Sequence, residues 1–297
     1  MIKCTTIHEV KEQAEHLDVA SMVPVFIEDN GVTKPVKKFV GVYNNTQGEF
    51  CNIVSPTYKL VQHKDYIINF ANALDRLNIK YDMEIKPQGD KVYVDVSFSE
   101  KTHKFEKLNE EFITGIRLVN SYDKSTGIGI MPRYTRLACT NGMIMTRSEM
   151  KFNVSHRSKM LEEVEGFIET RLNTIINSSD ELRNFVSVSM KDSIEWLTVT
   201  KIMEKLIVQL KHREEILKRL DISVVVNKPK NKKKQISYVM ENKLKKKITR
   251  WDLYNAITHY LTHGEQITPH IEMVHQKHAE KVLMTPLKVL AIEVETR

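Results

Sequence analysis

An α+β fold is predicted, with an antiparallel sheet carrying a β-hairpin and packed helices, followed by a mainly helical C-terminal half. Three observations lead there. β-rich runs dominate as far as about residue 155, one amphipathic helix interrupts them, and helical periodicity takes over afterwards. The runs Lys38 to Tyr43 and Phe50 to Ser55 come first. From Lys64 to Asn78, the residues Tyr66, Ile67, Phe70, Leu74 and Leu77 recur at helical spacing. Gly89-Asp90 then precedes the run Lys91 to Ser99, in which Val92, Val94, Val96 and Phe98 alternate with more polar neighbours. That alternation marks a half-buried antiparallel strand. The turn Asp123-Lys124-Ser125-Thr126-Gly127 bends a backbone cheaply, so Phe112 to Val119 and Ile128 to Ala138 read as a β-hairpin. Ser158 can cap a helix whose stripe is Leu161, Val164, Phe167, Ile168, Leu172 and Ile175. A second helical region runs from about Asp180 to Leu220 with a break before Lys191, and a last clear helix covers Trp251 to His263. The expected organisation is a β-rich α+β domain at 1–155, a helical region completing its core at 156–226, a basic linker at 227–250 and a C-terminal helical unit at 251–297.

With 297 residues, 41% of them hydrophobic, the chain can bury a sizeable core, and its length suits two compact units better than one. Cys4, Cys51 and Cys139 are too few and too scattered for a disulfide framework or a zinc site, so a reducing cytoplasm is the expected compartment. Charges interrupt every short apolar run, so neither an export signal nor a membrane span is expected. The net charge of +7 favours acidic partners, of which nucleic acid is the commonest.

Enzymatic motifs are missing from the sequence. It has no phosphate-binding Gly-x-x-x-x-Gly-Lys loop and no Gly-x-Ser-x-Gly elbow, and Gly127-Ile128-Gly129 is turn chemistry within the hairpin. Asp82, Glu84, Asp90 and Asp95 alternate as on the solvated face of strands. His259 and His263 stand at i and i+4, and His270, His275 and His278 follow. No glutamate or cysteine completes a metal register there, and no cofactor or metal is expected. Cys139 beside Arg136 reads as a small residue on the core side of a strand.

Two basic features carry the functional reading. On the second hairpin strand, Arg133, Tyr134 and Arg136 place cations and an aromatic ring on a rigid platform, suited to a polyanion with stackable bases. Since Arg133 and Arg136 are three apart, at least one of them is expected to face an open groove, with a bulge at Pro132. The second feature is the stretch Asn227 to Arg250, with nine lysines and one arginine against the single acid Glu241. Such a segment adds salt-sensitive affinity for phosphates even as a linker. The residues assigned to nucleic acid are Lys59, Arg117, Lys124, Arg133, Tyr134, Arg136, Arg147, Arg157, Lys232, Lys233, Lys234, Lys245, Lys246 and Lys247.

The run Arg136-Leu137-Ala138-Cys139-Thr140-Asn141 resembles the Arg-x-x-Cys-x-Asn signature of the phage/plasmid-like protein family, a domain of unknown function. Three further stretches agree in order: Ser55-Pro56-Thr57-Tyr58-Lys59-Leu60-Val61-Gln62, Asn120-Ser121-Tyr122-Asp123, and Trp251 to Thr258. Ser155-His156-Arg157-Ser158 stands where that family has an Arg-His-Thr-like segment. The order helix, strand, paired strands, helix over residues 64–178 also resembles the α-β-β-β-α core of Red-beta/RecT-like single-strand annealing proteins. That resemblance implies a basic groove on a ring or filament of many copies. The sequence therefore predicts a non-enzymatic protein that binds and anneals single-stranded DNA in phage or plasmid recombination or replication. An exonuclease or a single-strand binding protein is its expected partner. The alternative is a phage or plasmid structural or interaction protein. The Leu161 to Ile168 stripe and the helix around Trp251 are the surfaces a neighbouring copy would complete, although packing within one chain is the plainer use of both.

Overall fold

The computed structural model describes residues 2–105, 110–136, 142–144, 152–154, 179–227, 235–242, 247–264 and 267–295. The chain divides into two compact units, Met1–Thr135 with Ile144–Asn177, and Arg136–Met143 with Ser178–Arg297. Among the described residues, no helix is long and apolar enough to cross a membrane.

The elements up to residue 154 are, in chain order, β1 (Ile2–Cys4), α1 (Ile7–Ala14), β2 (Ala20–Asp29), β3 (Val32–Asn44), β4 (Glu49–Val54), α2 (His63–Arg76), β5 (Tyr81–Gln88), β6 (Lys91–Phe105), β7 (Glu110–Ser121), β8 (Ile128–Arg136), β9 (Gly142–Ile144) and β10 (Phe152–Val154). The main sheet follows the path β1-β5-β6-β7-β8-β10, and β2-β3-β4 forms a separate three-stranded sheet. The β1–β5, β5–β6, β6–β7 and β8–β10 pairs are antiparallel. Because side chains alternate along a strand, Val92, Val94, Val96 and Phe98 of β6 all reach one face. There they join Ile116, Leu118, Ile128 and Ile130, and pack with Tyr66, Ile67, Phe70 and Leu74 of α2 and Val10 of α1. Phe70 and Leu74 are fully enclosed, and truncating side chains so placed costs on the order of 2–5 kcal/mol. At Gly115 a Cβ would lie 2.1 Å from Val96 O, so only glycine fits where β7 crosses β6 beside a register shift. The odd-numbered side chains of β6 and β7, Tyr93, Asp95, Arg117 and Val119, take the opposite face.

The second unit contains α3 (Ser179–Lys191), β11 (Ser193–Glu195), α4 (Trp196–Leu206), α5 (Leu210–Lys218), β12 (Ile222–Asn227), β13 (Gln235–Met240), β14 (Lys247–Thr249), α6 (Arg250–His263), α7 (Pro269–Met284) and α8 (Leu287–Glu295). Strands β11 and β14 pair antiparallel, as do β12 and β13. Helix α6 starts at a reciprocal cap. The Asp252 N–H donates to Thr249 Oγ1 at 3.0 Å and the Thr249 N–H donates to Asp252 Oδ2 at 3.2 Å. Its Leu253, Tyr254, Ile257 and Leu261 are buried, and α7 packs beside it.

The α+β class and the antiparallel main sheet agree with the sequence reading. The strands it delimited lie inside β3, β4, β6, β7 and β8 to within a few residues. Several things differ. The second compact unit takes up the chain again at Ser178, and of the helical region expected at 156–226 the structure describes 179–226. The helix expected from Ser158, with its Leu161 to Ile175 stripe, lies outside the described residues, as does Cys139. The region Asp180 to Leu220 is three helices, broken at 192–195 and 207–209. The basic stretch 227–250 is not a plain linker, because Gln235–Met240 pairs along its length with Ile222–Asn227. Alternating Ile236, Tyr238 and Met240 had enough β character to form a strand; the neighbouring lysines hid it.

Candidate nucleic-acid interface

Cross-strand register sets the fate of the sheet arginines. Glu84 of β5, Asp95 of β6 and Arg117 of β7 are successive partners across three strands. The Arg117 guanidinium donates from Nε to Asp95 Oδ1 at 2.5 Å and from Nη2 to Oδ2 at 2.7 Å, a two-pronged pair. Lys86 Nζ reaches Asp95 Oδ2 at 2.7 Å and Glu84 Oε2 at 2.8 Å. Arg133 Nε lies 3.5 Å from Asp95 Oδ1, while its Nη1 donates to Thr135 Oγ1 at 2.8 Å. Burial alone would raise the Asp95 carboxyl. Arg117, Arg133 and Lys86 outweigh that and hold it well below the usual carboxylate range.

This cluster corrects the expected platform. Arg117 is 0% exposed, Arg133 9% and Tyr134 0%, so none of the three presents itself to a polyanion, and Arg133 faces no open groove. Nor is Asp95 part of a solvated acidic face, being 4% exposed. The physical reason is pairing across the sheet, which the spacing of the arginines along one strand does not reveal. Lys59 and Lys124 are exposed, Lys124 at a left-handed backbone position in the turn with φ 58°, and Lys247 is exposed on β14. The side chain of Arg136, together with Arg147, Arg157, Lys232, Lys233, Lys234, Lys245 and Lys246, lies outside the described residues.

Two stretches that carry the family resemblance meet in a buried seam. Tyr122 Oη donates to Asp18 O at 2.8 Å and accepts from the His63 N–H at 3.1 Å. The His63 ring stacks on Tyr122 at 3.8 Å, and Asn120 Nδ2 donates to Val61 O at 3.0 Å. Gln62 mimics a strand partner, its Nε2 donating to Ala20 O at 2.7 Å and its Oε1 accepting from Ala20 N–H at 3.1 Å. These residues join the three-stranded sheet to the main one. Tyr122→Phe is expected to cost about 1–3 kcal/mol, since it strands the Asp18 carbonyl and the His63 amide; urea unfolding monitored by fluorescence measures this. The Trp251 to Thr258 stretch is likewise core, with Trp251 stacked on Tyr254 at 5.5 Å.

Nearby, Asn44 Nδ2 donates to Asp18 Oδ2 and Asp90 Oδ1, both at 3.0 Å, and the Cys51 thiol donates to Asp90 Oδ1 at 3.1 Å. Burial and the Asp90 hydrogen bond push that thiol up to about 12, which disfavours the thiolate. Among the described residues, no group of three or more His, Cys, Asp or Glu side chains is arranged to hold a metal. His259 and His263 sit 4.5 Å apart, ring to ring, and burial with Arg219 pushes His259 down to about 4.

What is exposed differs from what the sequence singled out. On the three-stranded sheet Phe26, Phe39 and Phe50 are 54%, 49% and 54% exposed, with Ile53 beside them. Phe50 lies over Gly41, where a Cβ would come within 2.7 Å of its Cε2 and 3.0 Å of Val23 Cγ2. Lys34, Lys37 and Lys38 are exposed on the same strand as Phe39. In the second unit the positive charge is concentrated. Residues 196–250 hold sixteen Lys and Arg against five Asp and Glu, a net +11, so the rest of a chain with total +7 carries −4. A sliding charge count would have found this; exposure of the phenylalanines carries no local signal.

A family model described as a domain of unknown function (DUF932) matches residues 51–284. No curated protein and no solved structure matches the chain.

Proposed function

Since the chain belongs to the DUF932 family, whose description assigns no activity, we propose from its surfaces that it binds single-stranded nucleic acid and anneals complementary strands in phage or plasmid recombination or replication. The observation that carries this is the open aromatic face of the β2-β3-β4 sheet. Phe39 and Phe50 offer two rings to solvent beside Lys37 and Lys38, the pairing of stacking surface and cation that tracks a single strand. The lysine-rich stretch supplies the complementary element, a salt-sensitive hold on phosphates without sequence preference. The order α2, β6, β7, β8 keeps part of the α-β-β-β-α order of Red-beta/RecT-like annealing proteins, with β5 added between α2 and β6 and the closing helix of that order outside the described residues; assembly into a ring or filament is proposed on that partial likeness. No bond is broken in such a reaction. The protein's work is to hold phosphates while bases remain free to pair.

Phe39→Ala with Phe50→Ala is expected to weaken single-strand affinity by about 1–3 kcal/mol for each stacking ring removed, read by fluorescence anisotropy. A second reading rests on the same face. Ile53 and Val23 lie among its rings, and exposed apolar patches also mark protein contacts. On that reading the double variant would leave DNA affinity unchanged and lower the mass seen by light scattering at micromolar concentration.

A further inference from the structure

The second unit contains an arrangement that the sequence reading passed over. Helix α4 is followed by the three-residue turn Ile207-Val208-Gln209, then by α5. Arg219-Leu220-Asp221, with Asp221 at φ 62°, turns the chain directly into the β12–β13 hairpin. The hairpin is paired without interruption from Ile222 opposite Met240 to Asn227 opposite Gln235. Helix α3 and the short strand β11 precede the pair of helices, and β11 is completed by β14. Helix, short strand, helix, tight turn, helix, β-hairpin is the order of a winged helix-turn-helix.

Packing supports one body. Val199, Ile202 and Met203 of α4, Ile216 and Leu217 of α5, and Leu220 and Ile222 are all buried. Helix α5 packs on β12, and Tyr238 of β13 donates its hydroxyl to Glu204 of α4 at 2.7 Å. With their apolar side turned inward, the two helices leave an outer row on α5. Lys211, Glu214 and Lys218, at i, i+3 and i+7, are exposed there, and so is Val208 in the turn, at 83%.

We infer that this unit docks on double-stranded DNA, with α5 entering the major groove and the β12–β13 hairpin lying along the adjoining backbone. Charge complementarity selects the partner, because the segment 196–250 that contains these elements carries a net +11 in a chain whose total is +7. Shape selects duplex over single strand. A helix about 10–12 Å across fits the B-form major groove of about 12 Å. The three aromatic rings of residues 196–250, Trp196, His212 and Tyr238, are half-buried, His212 lies against Tyr260 and Tyr238 is held by Glu204, so this face offers little for stacking unpaired bases. The inference adds a duplex site to a protein proposed above to hold single strands. The duplex is what annealing produces.

The test uses the full-length protein and three fluorescein-labelled probes: a DNA duplex, one of its strands, and the RNA duplex of the same sequence. Lys211→Glu with Lys218→Glu changes only exposed positions. It is expected to weaken DNA-duplex binding about tenfold or more while single-strand affinity falls no more than about twofold. RNA duplex, whose major groove is too deep and narrow for a helix, is expected to bind more weakly than DNA duplex. Lys34→Glu with Lys37→Glu, an equal charge change on β3, is expected to spare the duplex. Equal losses on duplex and single strand, equal affinity for the RNA duplex, or no duplex binding by the unaltered protein would overturn the inference. Single-strand binding without duplex binding would leave the function proposed above standing, and duplex binding without single-strand binding would remove that function but keep this site.

Discussion

Asp95→Ala is expected to destabilise the first unit by about 3–5 kcal/mol, a large share of the roughly 5–15 kcal/mol that holds a domain folded. The carboxylate is the common partner of Arg117, Arg133 and Lys86, and Arg117 is fully enclosed. Removing it leaves guanidinium charge buried without its counterion, which costs far more than the pair itself contributes. Asp95→Asn keeps hydrogen-bond acceptance by one oxygen but loses the charge, so a smaller loss is expected. The comparison that isolates the cause is Asp95→Leu with Arg117→Met. Replacing the Asp95–Arg117 pair by apolar groups is expected to recover part of the loss, Arg133 and Lys86 still lacking the carboxylate, and a double variant as unstable as Asp95→Ala would show that packing, not the uncompensated Arg117 charge, is at fault. The pH dependence has a definite sign. The Asp95 pKa is lowered in the folded state, so the unfolded chain binds the extra proton. The stabilisation is therefore fully present above the unfolded value near 4 and is lost progressively as pH falls below it. Urea midpoints between pH 7 and pH 3 measure this, and Asp95→Asn is expected to flatten the curve.

Neutralising Lys228, Lys230, Lys232, Lys233 and Lys234 together is expected to reduce nucleic-acid affinity by about two orders of magnitude at low salt. These five lysines fall within seven residues, and over 196–250 positive charge outnumbers negative by eleven. Every phosphate left without its lysine should reduce the slope of log affinity against log salt by about 0.7 on single strands and about 0.9 on duplex DNA. Glutamine at all five positions is thus expected to flatten the slope by roughly 2–4, if three to five of the lysines meet phosphates. The preference between single and double strands should remain, because gripping a phosphate carries no information about bases. An unchanged slope would show that the stretch is only a spacer with charge. A change in preference without a change in slope would place these residues against bases instead.

The two experiments probe opposite uses of the same residue types. On β6 and β7 the charges are consumed internally, whereas on α5 Lys211 and Lys218 are exposed. The expectation that Arg133 and Tyr134 would form a surface came from their chemistry alone. In the sheet, Arg133 lies within reach of a carboxylate from a strand two positions away, and Tyr134 is fully buried. The exposed rings of Phe39 and Phe50 run the other way, since a phenylalanine on a β-rich run reads as core until the sheet is seen to have, among the described residues, no cover on that side. In the second unit, the helical periodicity of residues 180–220 was legible, but the break at 207–209 was not. Ile207-Val208-Gln209 contains no glycine or proline, and its conformation is set by the packing of α4 against α5.

By itself the sequence determined whatever depends on near neighbours. The alternation of Val92 to Phe98 made a strand, though not a half-buried one, since Tyr93 and Asp95 on its other face are buried as well; the spacing of Tyr66 to Leu74 made α2, and the Asp123 to Gly127 turn joined β7 to β8. The lysine excess marked where an acidic partner is drawn. Only the tertiary structure decided which cations are free. Asp95 and Arg117 are 22 positions apart and Tyr122 reaches the Asp18 carbonyl across 104, separations at which no periodicity operates. Register and packing bring such groups together, and a charge paired inside a sheet looks, residue by residue, the same as one held out to solvent.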